Sequence, residues 1–289
     1  MDVQRLKPPL EKLYRTYHAG YLKTDPLQLV HGFAAPEDRE VAGLIAAVFA
    51  YGRVEQIRKT LERIFRPMGG APQAFILDFD PDRDAPSFEG IVHRFNGTAD
   101  ILALLYGIKQ TLLRRGSLQA LFLSAYTSEQ ENVGTALSGF VEGFLDFDAA
   151  PLFGRPAIPS DSTFRFLFPS PRRGSACKRL NMYLRWMVRR DDGLDLGLWD
   201  AVSPSQLIIP LDTHVWRISK RLGLTERRSP DWKTAVEITA NLRRLDPEDP
   251  VKYDFALARL GILGRCLKEV DKKQCRACEL YPGCRQAFE

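Results

Sequence analysis

Helical periodicity constrains this chain more than anything else in it. Val41, Leu44, Ile45, Val48 and Phe49 recur at i, i+3, i+4, i+7 and i+8 behind Pro36-Glu37-Asp38. That pattern lays one apolar stripe along a helix and puts acids at its positive end. Further amphipathic stretches run over about 54–66, 99–114, 133–147, 177–190, 213–222, 230–243 and 250–264, while alternating strand-like runs with hairpin turns are scarce. The sequence therefore predicts an all-α protein. At 289 residues, with 45% hydrophobic and 27% charged residues, the chain can bury a sizeable core as one large domain or two lobes, and wholesale disorder is excluded.

Between the helical stretches, residues 149–175 carry Pro151, Pro156, Pro159, Pro169 and Pro171 with glycines and serines, which predicts a connector or surface loop. No internal repeat and no low-complexity tract is present. The N-terminus has no apolar signal core, and no stretch approaches the roughly 20 uncharged apolar residues of a membrane span. A cytoplasmic, nucleoid-associated protein without a membrane partner is the expectation.

Charge distribution says more than the net charge of +5. From Pro171 to Arg190 the basic side chains Arg172, Arg173, Lys178, Arg179, Arg185, Arg189 and Arg190 stand with no acidic residue, so this window is +7 and the remainder −2. A second cluster follows at Arg217, Lys220, Arg221, Arg227 and Arg228, interrupted by Glu226. Both suit a polyanion backbone, or are two solvated helix faces.

Four of the five cysteines crowd into the C-terminal tail, as Cys266-x8-Cys275-x2-Cys278-x5-Cys284, while Cys177 stands alone. In a chain without an export signal, such crowding points to a metal or cluster site over a disulfide framework. Zinc usually takes two short ligand pairs. A single C-x2-C flanked by one lone cysteine on each side favours an iron–sulfur cluster, with zinc as the alternative.

Two polar residues stand out at helix starts. Asp212, in Leu211-Asp212-Thr213-His214-Val215-Trp216-Arg217, occupies an N-cap position. Its carboxylate either only satisfies free backbone N–H groups or also stabilises positive charge developing on a sugar. Lys178 opens a helix whose apolar stripe is Leu180, Tyr183, Leu184, Met187 and Val188, and lies opposite that stripe, towards solvent or a groove. Either it is an ordinary surface lysine or, crowded by Arg172, Arg173 and Arg179, it has the like-charged setting that favours an amine nucleophile.

The 211–217 segment followed by the four-cysteine tail resembles endonuclease III and its relatives, the helix-hairpin-helix DNA glycosylases. Residues 254–266, DFALARLGILGRC, look like the last helix of that family leading into its cluster loop, and residues 44–49 look like its early core helix. The resemblance covers about half of the chain. It implies a two-lobed helical architecture, with residues 36–205 forming a lobe that carries a degenerate hairpin and Lys178. Residues 1–35 plus 206–289 then form the second lobe, with Asp212 and the cysteine loop. It also implies a catalytic pair Lys178 and Asp212, a [4Fe–4S] cluster on Cys266, Cys275, Cys278 and Cys284, and damaged duplex DNA as the partner of a monomer. Phosphate contacts fall to Arg172, Arg173, Gly174, Arg179, Arg217, Lys220 and Arg221. Tyr51 or Arg53 is the side chain filling the gap left by an extruded base.

Three departures shape these expectations. The spacer between Cys266 and Cys275 is longer than the family's, which moves Cys266 earlier in the chain. Of the Leu-Pro-Gly-x-Gly hairpin only Pro171-Arg172-Arg173-Gly174 is present, with Lys178 two places late. The stretch from Lys178 to Asp212 is also much longer than in endonuclease III. That widened gap is similar to the one in the archaeal 8-oxoguanine DNA glycosylases, which makes an oxidised purine the preferred substrate. The implied activity is base excision with an associated lyase step. The alternatives are a DNA-binding relative without lyase chemistry and a zinc-stabilised helical protein that binds RNA or a protein partner.

Overall fold

The computed structural model describes residues 3–190 and 192–285, and among them the regular structure is helical, with no strand beyond two isolated bridges, His93 to Asn96 and Ser175 to Asp231. In chain order come α1 (Lys7–Thr16), α2 (Leu27–His31), α3 (Pro36–Val48), α4 (Val54–Phe65), α5 (Pro72–Asp78), α6 (Pro81–Phe88), α7 (Thr98–Arg115), α8 (Leu118–Leu123) and α9 (Gly134–Leu145). There follow α10 (Ala150–Phe153), α11 (Lys178–Val188), α12 (Thr213–Leu222), α13 (Trp232–Arg243), α14 (Asp254–Ile262) and α15 (Lys272–Arg276). Each of the amphipathic stretches singled out by periodicity is a helix. The sequence pattern did not announce α1, α2, α5, α6, α8, α10 and α15, most of them short. None of the helices among the described residues is long and apolar enough to cross a membrane.

The core is built on α3, buried along its whole length from Glu40 to Val48. Helix α11 lies against it. Gly43 permits that approach, because a Cβ there would stand 2.7 Å from Met187 Cε. Burying each Leu, Ile or Val of this seam is worth about 1.5–3 kcal/mol relative to leaving it in water. The one acid inside it, Glu40, is fully used: its oxygens accept from the N–H groups of Leu118 (3.2 Å) and Gln119 (2.9 Å), which cap α8, and from Trp199 Nε1 (2.8 Å). Burial still pushes its carboxyl upward.

Helices α12 and α14 pack together, and α1 docks on α14 and on the turn at Tyr281–Gly283. The N-terminal helix thus joins the C-terminal elements, while α2 packs on α3. At Gly261 a Cβ would overlap the His214 side chain, so the second close seam, like the first, depends on a glycine.

The Pro-rich segment is largely irregular. Beyond α10 it holds single 3-10 turns at Thr163–Leu167 and Pro171–Arg173. Gly174 then takes the left-handed φ of 77°, and Cys177, the residue before α11, takes a φ of 48°. The buried Cys177 thiol donates to the carbonyls of Pro169 (3.3 Å) and Ser175 (3.2 Å). A turn rather than a helix therefore delivers Lys178 to the first position of α11.

Candidate functional site

Lys178 is half-buried, and its Nζ lies 3.5 Å from the Ala50 carbonyl oxygen and 3.5 Å from Met182 Sδ. It therefore meets the chain where α3 ends, just before Tyr51. The side chain is thus packed beside the core rather than extended into open solvent.

The rest of α11 departs from expectation. Arg179, expected among the phosphate contacts, is only 7% exposed. Its Nη1 donates to the Val48 carbonyl at 2.6 Å and its Nη2 to that of Phe166, and the guanidinium lies over the rings of Tyr51 and Phe166. Burial pulls this guanidinium down to about 10. Arg179 holds the end of α3 and cannot also reach a phosphate.

Arg185 and Arg189 are buried as well. Arg185 Nη1 donates to Asp254 Oδ2 at 2.5 Å, and its Nη2 lies 3.2 Å from Asp195 Oδ1. Arg189 pairs with Asp195, with Asp192 at 2.7 Å and with Asp249 at 2.9 Å. Three of the seven basic side chains in the window are thus internal. Counter-charges for two of them arrive from residues that a window count cannot see. Arg172, Arg173 and Gly174 remain exposed, as does Arg190, with Arg172 Nη1 2.5 Å from Glu142 Oε1.

Asp212 is the N-cap of α12, as its position predicts. The N–H groups of His214 and Val215 both donate to the same oxygen, Oδ1, at 2.8 Å each, which leaves Oδ2 outside the cap. Asp254, at the first position of α14, lies within electrostatic reach of both candidates. It is 3% exposed, and its carboxyl feels the charges of both Asp212 and Lys178. Burial raises it, Arg185 lowers it, Asp212 raises it and Lys178 lowers it, and it is pushed up to about 6. Sequence reasoning missed Asp254, since an acid in the first turn of a helix ordinarily reads as a dipole complement.

Tyr51 does not extend outward. It is half-buried, its hydroxyl is shared between Asn96 Oδ1 and the His93 carbonyl (3.0 Å), and burial pushes it up to about 12. Its ring lies under Phe95, stacked at 5.6 Å between centroids, and edge-on to Phe166 at 5.2 Å. Phe95 is 49% exposed and Phe166 44%. Phe95 caps the tight turn from His93 to Asn96, in which Arg94 holds a left-handed φ of 59°. Arg53 is exposed just before α4. Sequence reasoning passed over Phe95 and Phe166 because both fall in segments without periodicity.

In the second basic cluster, Arg217 donates from Nη2 to the Cys266 carbonyl at 2.7 Å. Arg221 donates to the carbonyls of Leu267 and Lys268 at 2.8 Å each, with its Nη1 3.1 Å from Cys266 Sγ. These two arginines hold the cysteine loop. Lys220 lies over the Trp216 ring. All four tail cysteines line one recess with Ile218, Leu222, Leu260, Leu280, Arg221 and Arg265. Among the described residues no three His, Cys, Asp or Glu side chains converge to ligating distance. The donor set is nevertheless all sulfur, in an apolar pocket with a cation beside Cys266, and this chemistry fits a thiolate-held centre.

Residues 25–263 match the model of the family described as "Protein of unknown function (DUF2400)", and the chain belongs to that family. The matched span includes Lys178, Asp212 and Asp254 and ends before Cys266. No curated protein and no solved structure matches the chain.

Proposed function

We propose that this protein is a DNA glycosylase with an associated lyase step, acting on an oxidised base, 8-oxoguanine by preference, in duplex DNA. The observation that supports the reading is that Lys178, half-buried at the end of α3, and Asp212, whose cap uses one oxygen only, both lie within electrostatic reach of the buried Asp254, although the three stand far apart in sequence. The Lys178 amine attacks the anomeric carbon of an extruded nucleotide, the bond to the base breaks, and the resulting imine permits elimination of the 3′ phosphate. Asp212 faces the positive charge that develops on the sugar. Because its cap uses one oxygen only, capping and charge stabilisation are compatible.

Arg172, Arg173, Gly174 and Lys220 meet phosphates. Phe95, held by a turn on top of Tyr51, takes the place of the extruded base in the stack. Cys266, Cys275, Cys278 and Cys284 would hold a [4Fe–4S] cluster, with zinc as the alternative. Such a centre would fix the tail and the Arg217 and Arg221 side chains that grip it. DNA as partner and a monomeric state belong to the same proposal.

The test is borohydride trapping on duplexes containing 8-oxoguanine, thymine glycol or an abasic site, beside Lys178→Ala and Asp212→Asn. A covalent adduct that vanishes in Lys178→Ala is the expected result, and the preferred duplex names the lesion. Binding without any adduct would sink the lyase step in favour of a relative that binds DNA or releases bases without it. Absorbance near 400 nm, about where thiolate-bound iron–sulfur centres absorb, together with bound iron, separates cluster from zinc.

A further inference from the structure

Lys178 and the exposed aromatic rings are held by one side chain, Arg179. It is 7% exposed, and among the described residues no carboxylate pairs with it. A buried guanidinium without a counter-charge is costly, so its donors must be met in other ways. Here its fork spans two carbonyls from distant segments. Nη1 donates to Val48, the last residue of α3, at 2.6 Å, and Nη2 donates to Phe166 in the turn at Thr163–Leu167. The guanidinium carbon also stands 4.3 Å from the Phe166 ring centre and 4.9 Å from that of Tyr51. These two rings carry Phe95, at 4.4 Å from Phe166 and 5.6 Å from Tyr51 between centroids. The other arm of the fork leads to the amine, because two residues past Val48 the Ala50 carbonyl receives Lys178 Nζ at 3.5 Å. The chain between them is tight: the Ala50 amide donates to Ala47 at 3.0 Å, and that of Tyr51 to Phe49 at 2.8 Å.

We propose that Arg179 is a positioning residue that fixes the separation between the Lys178 amine and the Phe95–Phe166 ring pair. The inference rests on the lysine-dependent reading above. A duplex seated with Phe95 in its stack then presents the sugar of the vacated nucleotide to the amine at a set height. A lysine in place of Arg179 would keep the charge and lose the fork, because a single ammonium cannot hold both carbonyls while lying flat on two rings. A phosphate contact has the opposite requirement: there a lysine serves as a point charge, and charge rather than planar geometry decides the affinity.

The test is single-turnover borohydride trapping at saturating protein on a duplex with an abasic site opposite 2-aminopurine, whose emission is quenched by stacking. Arg179→Lys is compared with Arg165→Lys. Arg165 lies on the same turn as Phe166 and also donates to two carbonyls, Pro159 at 2.9 Å and Ile158 at 2.8 Å, but both belong to the Pro-rich segment itself. Arg179→Lys is expected to slow trapping about 10–100-fold, the scale on which a misplacement of about 1 Å is felt, and to alter the quenching. Arg165→Lys should keep both the rate and the quenching. An Arg179→Lys protein with unaltered rate and quenching, a change in one of the two alone, or an equal slowing in Arg165→Lys overturns the inference and leaves the lyase reading intact. Absence of any adduct from the unsubstituted protein overturns both. If Arg179→Lys does not fold, Arg179→Met, which keeps an unbranched stem without the buried charge, is judged by the same two readouts. In that variant a salt slope reduced by about 0.9 would mark a phosphate contact and overturn the inference. Hydrogen exchange of the unsubstituted protein tests the same point without a substitution. Saturating duplex should raise protection over residues 48–52 and 164–168 together, and protection of one segment alone would count against the proposal.

Discussion

The turn at Pro171–Gly174 and the helix that follows it carry similar charge, and the structure treats them in opposite ways. Arg172 and Arg173 stand in solvent, with one exposed glutamate beside Arg172, whereas Arg179, Arg185 and Arg189 are internal. The difference lies in what arrives from elsewhere. Asp195, Asp249 and Asp254 bring carboxylates to two of the buried arginines, and the end of α3 brings carbonyls and aromatic faces to the third. A basic run is therefore a phosphate-binding surface only where no partner has claimed it. Here the claim is made immediately after Lys178.

The largest effect that could break this contrast is on stability. Arg189→Ala leaves Asp195 buried without that partner, and removing one member of a buried pair costs about 3–5 kcal/mol. Urea denaturation of that variant should show the loss. Arg173→Ala should stay within about 0.5 kcal/mol of the unsubstituted protein, as exposed positions do. Comparable losses in both would mean that the two regions do not differ as described.

On the binding side the order reverses. Phe95→Ala is expected to weaken binding to a lesion duplex by about 1–3 kcal/mol, the range found for a stacked aromatic. Tyr51→Phe, which loses a hydroxyl already committed inside the turn, should act through the position of Phe95 and cost less. Arg172→Ala and Arg173→Ala should each reduce the slope of log affinity against log salt by about 0.9, the counterion contribution of one phosphate contact. Any variant of Arg185 that still folds should leave that slope unchanged. Fluorescence anisotropy across a salt series separates these outcomes.

The same contrast explains how far the sequence could be read. Wherever an apolar stripe recurs over several turns, as in α3, α7 and α12, local pattern and final structure agree, because that stripe is what the core buries. Short proline-led helices such as α5 and α6 carry too few turns to show a stripe. At the site, Asp212 was legible as a cap because capping is local. The electrostatic reach of both Asp212 and Lys178 to Asp254 was not, since no spacing rule connects positions so distant in sequence. Arg179 misled for the same reason. A charge count along the chain holds no information about the Val48 and Phe166 carbonyls that receive it.

The smallest expected effect is also the most specific to the junction of the two seams. Burial raises the Asp254 carboxyl to about 6, above the usual aspartate value near 4. A carboxyl raised on folding binds more protons in the folded state than in the unfolded state over that interval. Its contribution to stability is therefore complete below about pH 4 and is lost as pH rises through about 6. Between about pH 5 and about pH 8 this one group should withdraw about 1 kcal/mol. Asp254→Asn, which cannot ionise, should remove that part of the pH dependence and leave the rest. As pH rises from about 5 to about 8 the unsubstituted protein should lose stability relative to Asp254→Asn by about that amount if Asp254 sits where its charge is disfavoured. Parallel pH profiles would show that the Arg185 ion pair offsets the burial of the Asp254 charge fully.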